Sequence, residues 1–540
     1  MSDSDSKSSP VPVAKRSLAN IAGIVAIATL ISKFFGLFRQ LAIAATFGVG
    51  PAANAYAYAY VVPGFLLILL GGINGPFHSA MVSALAKRDK QDTAPLVETM
   101  TTLVGAALLI VTLVLVAIAP VIIDLVGPGL ADIEKAIAIQ QLRIMAPIAL
   151  LAGLIGIGFG TLNAADLYWL PSISPIFSSA ALLVAIGIFA VAMGDTNVTS
   201  PNYVMIGGAV LAWGTVAGAV LQWLAQVVAQ WRSGLGTLRL RFNWNQPGVR
   251  DVLKVMAPAT FSSGTLQINV YTDLFFASAI QGAGAALSYA NLLVQMPLGI
   301  ISNMILVPLL PVFSRLAAPE HRDELKARIR QGMILTALTM LPLGALFIVL
   351  ALPIVRTVYE RGAFSSDASA LVESILVAYG IGMFVYLGRD VLVRVFYGLG
   401  DGATPFRVSV VNIVVNAVLD YLLVQQFGAA GIVYATAGVN LVSMVALLWF
   451  LDRKINGLPW RAWSWPILLL TGASAIAGLA AWGTRLGLEN WLGTEGLLVH
   501  LAQLGGAGFV GLSLFGAIAT QLRLPEVDLF TQRIRQKLRR

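Results

Sequence analysis

The run LVGAALLIVTLVLVAIAPVII, residues 103–123, decides the fold class because it is 21 residues long and carries no charged side chain. A helix of about 20 apolar residues crosses the hydrocarbon core of a bilayer. Similar windows fill the chain and predict about fourteen membrane-spanning helices, numbered here as spans 1 to 14. The spans lie near residues 18–47, 52–86, 95–127, 133–163, 168–194, 202–231, 248–281, 284–315, 325–358, 367–399, 404–426, 428–452, 463–486 and 496–522. The sequence therefore predicts an all-α polytopic membrane protein.

The composition of the 540 residues supports this class and excludes several others. Hydrophobic residues make up 58% of the chain and charged residues only 11%, whereas a soluble globular domain has roughly 25% charged residues. The absence of cysteine excludes disulfides and thiolate sites, and the three histidines, His78, His321 and His500, lie far apart in the sequence. The sequence contains no G-x-x-x-x-G-K-[ST] phosphate-binding loop. We therefore expect neither an enzyme nor an ATP-driven pump, and no cofactor.

Basic residues predict the orientation of the chain in the membrane. Lys and Arg cluster after spans 2, 6, 8 and 12 and in the tail 523–540, whereas the loops after spans 1, 7 and 11 carry almost none. By the positive-inside rule both termini are cytoplasmic, as an even number of spans requires. We attribute the net charge of +9 at pH 7 to this topology and to anionic lipid, and expect no nucleic-acid partner. The polar, serine-rich residues 1–17 are predicted to form a disordered cytoplasmic tail.

An internal repeat predicts how the spans are grouped. Gly48 precedes Pro63 by 15 residues, and Gly282 precedes Pro297 by 15 residues, so the two segments are offset by 234. Each segment joins the first two helices of a six-span set, and two such sets run in the same direction. Parallel repeats of this kind are related by an axis along the membrane normal, and transporters built from them bind substrate at the midplane between the halves. The alternative is that Gly-x-Gly followed by Pro is simply common in membrane turns.

The predicted organisation follows from this repeat. It comprises an N-terminal lobe at 18–231, a cytoplasmic linker at 232–247, a C-terminal lobe at 248–452, a helix pair at 463–522 and a basic cytoplasmic tail at 523–540.

Two basic residues lie inside span 1, where a charge is costly unless it meets a partner, a cavity or a substrate. Lys33 and Arg39 are six residues apart, which rotates them by a net angle of roughly 240° around a helix. A bend at Gly36 would bring both side chains toward one cavity. The repeat places Asp273 at the position equivalent to Arg39, so this cavity would receive an anionic headgroup on one side and a cation on the other. The alternatives are snorkelling of the basic residues to an interface or a structural ion pair.

For two further sets of charges, a structural role is either preferred to a functional role or equally well supported. Asp390 and Arg394 in span 10 are four residues apart and are expected to neutralise each other as a structural pair. Arg143 in span 4 lies either near the outer mouth or against the cavity.

Span 11 carries a polar stripe on an otherwise apolar helix. Asn412, Asn416 and Asp420 recur every four residues and therefore share one face. Carboxylate and amide oxygens suit a hard cation, but the same stripe is also typical of hydrogen bonds between membrane helices.

Several ordered motifs together resemble one family. They are SKFFGLFR at 32–39, FGVG at 47–50, YERGAF at 359–364 and RVFY at 394–397, followed by Asp401 and by Thr404-Pro405. The chain resembles the MurJ (MviN) family of lipid II flippases from about residue 18 to 523. The resemblance implies the fold of the multidrug/oligosaccharidyl-lipid/polysaccharide exporter superfamily, with two six-helix lobes and two additional helices. It also implies transport of the lipid-linked peptidoglycan precursor from the cytoplasmic to the outer leaflet.

The resemblance also implies roles for individual residues. Lys33 and Arg39 match the basic residues of the first helix that face the central cavity and engage the pyrophosphate. Spans 13 and 14 match the pair that forms a lipid-facing groove for the polyprenyl tail. The residues that match a sodium site of some family members are Asp273, Asn416, Asp420 and Thr436.

The chain departs from the family at several cationic positions. It has Asn54 where many members have Asp, Leu67 and Ile68 where they have an Arg pair, and Asn291 and Leu292 where they have Asp-Arg. The expected substrate-binding set therefore comprises Lys33, Arg39, Asn54, Asn74, His78, Arg143 and Asn291. The departures leave open a branch that carries another undecaprenyl-linked glycan.

The predicted function is thus translocation of lipid II in peptidoglycan and cell-wall biosynthesis, by alternating access driven by membrane potential or a cation gradient such as Na⁺. The protein is expected to be a monomer in the bacterial plasma membrane, with membrane lipids and cell-wall synthesis proteins as further partners. The alternatives are a cation-coupled drug exporter, against which the basic span 1 argues, and a non-transporting scaffold for cell-wall synthesis.

Overall fold

The computed structural model of the chain describes residues 18–72, 75–86, 90–194, 200–246, 248–254, 256, 268–494 and 496–527. These residues are predominantly helical and contain no strand. The described residues contain thirteen helical stretches, some made of two consecutive helices, that are long and apolar enough to cross a membrane. The all-α polytopic fold class is therefore confirmed. Part of predicted span 7, the candidate residue Asn74, the tail 1–17 and most of the basic tail lie outside the described residues.

The N-terminal lobe contains the first nine helices. They are α1 (Leu18–Phe47), α2 (Pro51–Gly71), α3 (Pro76–Leu85), α4 (Lys90–Val126), α5 (Asp132–Met145), α6 (Ile148–Ala164), α7 (Trp169–Ile173), α8 (Pro175–Met193) and α9 (Pro201–Arg232). Predicted spans 2, 4 and 5 each consist of two of these helices. Pro76, Pro147 and Pro175 stand at or next to the interruptions, because proline has no N–H to donate to the preceding turn.

The C-terminal lobe and the additional pair follow the linker. They are α10 (Ile268–Ala277), α11 (Ala283–Arg315), α12 (Arg322–Val349), α13 (Ala351–Val358), α14 (Ser366–Gly398), α15 (Ala403–Phe427), α16 (Ala429–Lys454), α17 (Trp460–Leu492) and α18 (Leu497–Gln521). A single turn of 3₁₀ helix, Pro319–His321, precedes α12. Within this part of the chain α14 packs against α11, α12 and α16, while α17 packs against α18 and α12.

The two lobes meet mainly through α2 and α11, which are the repeat-related helices. Both begin after a turn that contains a glycine in the left-handed region, Gly48 with φ +55° and Gly282 with φ +72°. Both also carry the repeat's proline, Pro63 in α2 and Pro297 in α11. The pattern read from the sequence therefore marks the pair of helices that forms the contact between lobes.

A buried carboxylate fixes the linker to the N-terminal lobe. Glu98 of α4 is only 4% exposed and accepts hydrogen bonds from Thr237 N at 3.0 Å, Thr237 Oγ1 at 2.7 Å and Arg241 Nε at 2.5 Å. Thr102, one turn along α4, accepts from Arg241 N at 3.0 Å. Residues 249–254 are helical, and their apolar side chains enter the same cluster as Phe77 and Met100. The N-terminal lobe thus holds the linker, and it also packs against residues 249–254, which were predicted to begin the C-terminal lobe.

Asp401, one of the motif residues, connects three helices, α14, α15 and α16, at one end of the C-terminal lobe. It accepts from Thr404 N at 3.0 Å at the start of α15 and from Lys454 Nζ at 2.8 Å at the end of α16. Partial burial raises the pKa of Asp401, but the hydrogen bonds from Lys454 and Thr404 outweigh this effect and lower the pKa to about 2. The motif therefore has a structural role in joining α14, α15 and α16.

Replacing Glu98 by Ala is expected to release the linker. The change leaves the donors of Thr237 and Arg241 without their acceptor, and an unmet buried hydrogen-bonding group costs about 1–3 kcal/mol. Limited trypsin digestion of the purified protein should cut after Arg239 and Arg241 several-fold faster in Glu98→Ala than in the wild type. Glu324→Ala, which removes an exposed pair with Arg328 at 3.6 Å, is the control and should not change the cutting rate. Equal rates in Glu98→Ala and the wild type would contradict this role for Glu98.

Candidate functional site

A cavity of about 320 Å³ lies between the lobes where α1, α2 and α11 converge. Residues from both lobes line it, which is the arrangement that the repeat predicted. Its lining residues are Arg39, Gln40, Ile43, Ala53, Tyr56, Ala57, Tyr60, Val61, Ala285, Ser288, Tyr289, Asn291, Leu292 and Gln295. The structure thus brings together two predicted site residues, Arg39 and Asn291, on opposite walls of one cavity.

Arg39 has no protein partner for its charge. Its Nε is buried without a hydrogen bond, and the side chain forms no ion pair with any described residue. Arg485 in α17 shows the contrasting arrangement, since its guanidinium donates to Glu489 Oε1 at 2.7 Å and to Val349 O at 2.8 Å. A charged group at membrane depth is retained at a cost unless something neutralises it. The cavity therefore presents an unsatisfied cation to whatever enters it.

Sequence reasoning missed the aromatic wall of the cavity. The rings of Tyr56 and Tyr60 are stacked with centroids 5.4 Å apart, and Tyr56 Oη is 2.8 Å from Thr215 Oγ1. The alternation AYAYAY at 55–60 contains the signal, because residues 56 and 60 are four apart and share one helical face. Stacked rings beside amides and hydroxyls form a surface suited to sugar rings and their polar substituents.

Lys33 lies on the same helix but farther from the cavity. α1 runs unbroken through Gly36, and Lys33 is six residues before Arg39, a rise of about 9 Å. Lys33 is exposed, and its Nζ is 3.9 Å from the position that a Cβ would take at Gly299 of α11. It therefore stands between the lobes at the edge of the interface, outside the lining of the cavity.

Four hydrogen bonds between the lobes close one end of the cavity. Tyr289 Oη donates to Gly48 O at 2.8 Å, and Ala285 N donates to Asn54 Oδ1 at 3.3 Å. Two loop contacts add to them, since Gly129 N donates to Ser278 Oγ at 3.0 Å and Ala363 N donates to Ala45 O at 2.8 Å. We call this set the gate. Within the described part of the chain, no hydrogen bond joins the lobes at the opposite end.

The gate is packed too tightly to admit a side chain at its glycines. A Cβ added to Gly48 would collide with Ala363 O, and one added to Gly362 would collide with Ala45 O. Behind these turns, Tyr289, Tyr359 and Phe364 form a buried aromatic cluster with ring centroids 5.1 to 5.7 Å apart. The backbones of the two lobes are therefore in close contact at these glycines.

Asn54 belongs to the gate and does not line the cavity. It is 1% exposed, and its Nδ2 donates to Glu134 Oε2 at 3.2 Å while its Oδ1 accepts from the other lobe. Glu134 is itself 5% exposed at the start of α5. The amide thus links a buried carboxylate of one lobe to a backbone N–H of the other, which explains a polar residue at this position.

His78 and Arg143 also lie away from the cavity lining. A ring nitrogen of His78, Nε2, is 2.8 Å from Asn163 Nδ2 of α6, so this pair joins two helices within one lobe. Arg143 is exposed near the end of α5. Neither residue lines the space that contains Arg39.

The structure assembles the predicted cation-binding residues in the C-terminal lobe. Asn416 Nδ2 donates to Asp273 Oδ1 at 2.8 Å and to Asp420 Oδ2 at 2.7 Å. Both carboxylates therefore lie beside one amide group, while the Thr436 hydroxyl donates to Ile432 O at 3.0 Å within its own helix. Asp420 is fully buried and its Oδ1 has no partner. Two adjacent carboxylates, of which Asp420 is fully buried and Asp273 half-buried, favour a shared proton or a cation between them.

Two expectations about charge pairing were wrong. Asp390 pairs with its neighbour Arg389, whose Nη1 is 3.2 Å away, and not with Arg394. Arg389 is positioned for this contact because its Nη2 is also held by Ser409 Oγ at 3.4 Å. Asp273 does not face Arg39 across the cavity, because the hydrogen bonds to Asn416 and Asp420 hold it inside the C-terminal lobe.

Comparison with known proteins agrees with this architecture. A family model described as "Lipid II flippase MurJ" matches residues 43–500. A protein of Synechocystis sp. named probable lipid II flippase MurJ is 57% identical over 533 residues, covering 98% of this chain and all of its own length.

Two solved structures share the fold. One, titled "Lipid II flippase MurJ, inward closed conformation", has a TM-score of 0.73 at 21% identity and covers 93% of this chain and 100% of that chain. The other, an inward-facing multidrug resistance MATE family transporter of the MOP superfamily, has a TM-score of 0.63 at 16% identity, with 81% and 98% of the two chains covered. The likenesses to both confirm the predicted superfamily fold, and the family match with the 57% identical relative shows that the chain belongs to the lipid II flippase MurJ family.

Proposed function

We propose that this protein translocates lipid II from the cytoplasmic to the outer leaflet of a bacterial plasma membrane. The observation that carries this proposal is Arg39, a half-buried cation that forms no ion pair with any described residue and whose buried Nε has no hydrogen bond, lining a cavity between two lobes. Family membership supplies the substrate class, because the 57% identical relative is named a probable lipid II flippase.

The chemistry of the cavity fits the headgroup of such a lipid. A guanidinium group matches the oxygens of a diphosphate in geometry and charge. The amides of Gln40, Asn291 and Gln295 and the hydroxyl of Ser288 offer hydrogen bonds to sugar and peptide groups. Lys33, at the edge of the interface, supplies a second positive charge along the route to Arg39.

We place the gate at the outer face of the membrane. The linker and the loops at the opposite end carry clustered Arg and Lys residues, which the positive-inside rule assigns to the cytoplasm. Both termini are then cytoplasmic, and the structure corresponds to a state whose outer side is shut. Opening the gate while the other end closes would carry the headgroup outward, with the polyprenyl tail remaining in lipid along α17 and α18.

A sodium ion is the coupling ion that the residues of the C-terminal lobe fit best. Asp273, Asp420, Asn416 and Thr436 would hold it, since they supply hard oxygen ligands and Asp420 Oδ1 is buried without a partner. When bound, the ion would neutralise the two carboxylates. Either this ion or the membrane potential would drive the cycle, since moving one charge across 100 mV is worth about 2.3 kcal/mol.

The protein acts as a monomer in this proposal, because each chain contains both lobes and a complete cavity. Transport of another undecaprenyl-linked glycan is the competing proposal. Leu67, Ile68 and Asn291 favour it, since they replace basic or acidic residues of many family members. Competition between lipid II and a second lipid-linked glycan in reconstituted vesicles would separate the two.

Replacing Arg39 by Ala is expected to slow lipid II translocation at least tenfold in reconstituted vesicles. A hydrogen bond to a charged group contributes about 1.5–3 kcal/mol, which corresponds to roughly 10- to 150-fold. Arg39→Lys should retain part of the rate because it keeps the charge. The control is Arg407→Ala, which changes an exposed arginine outside the cavity. Wild-type rates for Arg39→Ala, at equal protein in the vesicles, would contradict the proposal.

Cross-linking the gate is expected to stop transport reversibly. The chain has no native cysteine, so Ala45→Cys with Ala363→Cys introduces one unique pair at residues joined by a backbone hydrogen bond of 2.8 Å. Cα atoms of such neighbours are about 5 Å apart, within reach of a disulfide. Oxidation should abolish translocation in the double variant, and reduction should restore it. The single variant Ala45→Cys should be unaffected, and full activity of the fully oxidised double variant would rule out a moving gate.

Sodium binding is expected to stabilise the wild type and not Asp420→Asn. A ligand that binds only the folded state raises the unfolding temperature, so we compare thermal unfolding in NaCl and in choline chloride of equal ionic strength. Asp367→Asn, an exposed aspartate at the start of α14, should keep the sodium-dependent shift. The absence of a shift in the wild type, or the same shift in Asp420→Asn, would contradict the assignment of the ion.

A further inference from the structure

A second cavity, of about 620 Å³, lies at the gate end of the C-terminal lobe, where α13 and the start of α14 meet the start of α18. It is separate from the cavity between the lobes and shares no lining residue with it. Its lining residues are Arg356, Thr357, Glu360, Arg361, Ser366, Thr494, Gly496, Leu497 and His500. Among the described lining residues, two guanidinium groups and an imidazole therefore accompany one carboxylate.

Two buried donor atoms without a hydrogen bond belong to residues that line this cavity. Arg356 Nε and Thr357 Oγ1 are both buried and make no hydrogen bond. Arg356 Nε is 3.3 Å from Glu360 Oε2, an ion pair without hydrogen-bond geometry, and Glu360 already accepts from Ser369 Oγ at 2.5 Å. Buried polar groups in folded proteins are nearly always satisfied, so unmet donors that line a cavity indicate an absent acceptor.

The exposed side of the cavity supplies further donors. Arg361 Nη2 donates to Thr357 O at 2.6 Å and to Val358 O at 2.7 Å, which fixes the guanidinium while its Nη1 and Nε make no hydrogen bond to described residues. His500 Nε2 is 3.0 Å from Thr494 O; because a carbonyl only accepts, Nε2 carries the proton. Donors thus approach the cavity from α13 and from the segment after it, while the N–H of His500 in α18 is already engaged by Thr494 O.

The motif YERGAF joins this cavity to the gate. Tyr359, Gly362 and Ala363 contact the other lobe or the gate's aromatic cluster, whereas Glu360 and Arg361 line the second cavity. Adjacent residues of this short segment therefore belong to two sites, the gate and the second cavity. Only the gate has a role in the proposed transport cycle.

We propose that the second cavity binds a phosphate group, on a lipid headgroup or on a free anion. A phosphate offers several acceptor oxygens to donors arriving from different directions, and guanidinium groups are the side chains best matched to it. The Glu360 carboxylate is engaged by Arg356 and Ser369, and Arg361 forms no ion pair with any residue that the structure describes. The inference goes beyond lipid II translocation and does not depend on it.

Thermal unfolding of the detergent-purified protein at pH 7 tests this site. The probes are inorganic pyrophosphate, added at constant ionic strength, and dioleoyl phosphatidic acid, added against an equal amount of phosphatidylcholine. We compare the wild type with Arg361→Gln and with Arg361→Gln/His500→Gln. The matched control is Arg328→Gln, an exposed arginine in α12 outside both cavities. All proteins carry Arg39→Gln as well, so that the cavity between the lobes contributes no arginine to binding.

We expect the unfolding temperature to rise with the concentration of the probe. Arg328→Gln should show the same rise as the reference protein, whereas Arg361→Gln should need at least tenfold more probe for an equal rise. A shift with phosphatidic acid alone would assign the site to a lipid headgroup, and a shift with both probes would assign it to the phosphate group itself. No shift with either probe, or equal shifts in Arg361→Gln and Arg328→Gln, would overturn the proposal. Lipid II translocation, measured separately on the protein with Arg39 intact, would then still stand, because that assay does not use this site.

Discussion

The structure depends on one electrostatic constraint, which is that a cation at membrane depth must find a counter-charge. Arg485 meets this constraint inside the protein, through Glu489 and the Val349 carbonyl. Arg39 does not, and its buried Nε faces a cavity that both lobes line. Arg485 is therefore a structural charge, whereas Arg39 is a charge that is available to a ligand. An anionic group entering the cavity would supply what the fold leaves unmet.

The repeat explains how that cavity can be closed and reopened. The turns before α2 and α11 are equivalent in the two lobes, and each contains a glycine with positive φ. They meet at the gate, where a carbonyl of one lobe accepts from a side chain of the other. Few hydrogen bonds hold this contact, whereas each lobe is packed internally along whole helices. The lobes are therefore able to separate as units, because the contact between them is small compared with the cores within them.

The sequence predicted the fold and part of the site. Long apolar runs fix the helices, and a charge such as Arg39 inside such a run is visible without a structure. The gate could not be predicted, because its contacts join residues that are far apart in the sequence, from 149 positions for Gly129 and Ser278 to 231 for Asn54 and Ala285 and beyond. Asp390 was assigned to Arg394 by helical spacing, but the adjacent Arg389 forms the contact. The cluster around Asp420 was expected from family resemblance. The spacing of polar residues shows which side chains share a face of one helix, but it does not show which neighbouring helices pack against that face.

The most direct test of the account is an electron cryo-microscopy structure of the protein with lipid II bound. The account predicts that the diphosphate lies within hydrogen-bonding distance of the Arg39 guanidinium, inside the cavity between α1, α2 and α11, with the polyprenyl tail outside the lobes. A diphosphate bound elsewhere, with Arg39 paired to a protein carboxylate or directed into lipid, would contradict it.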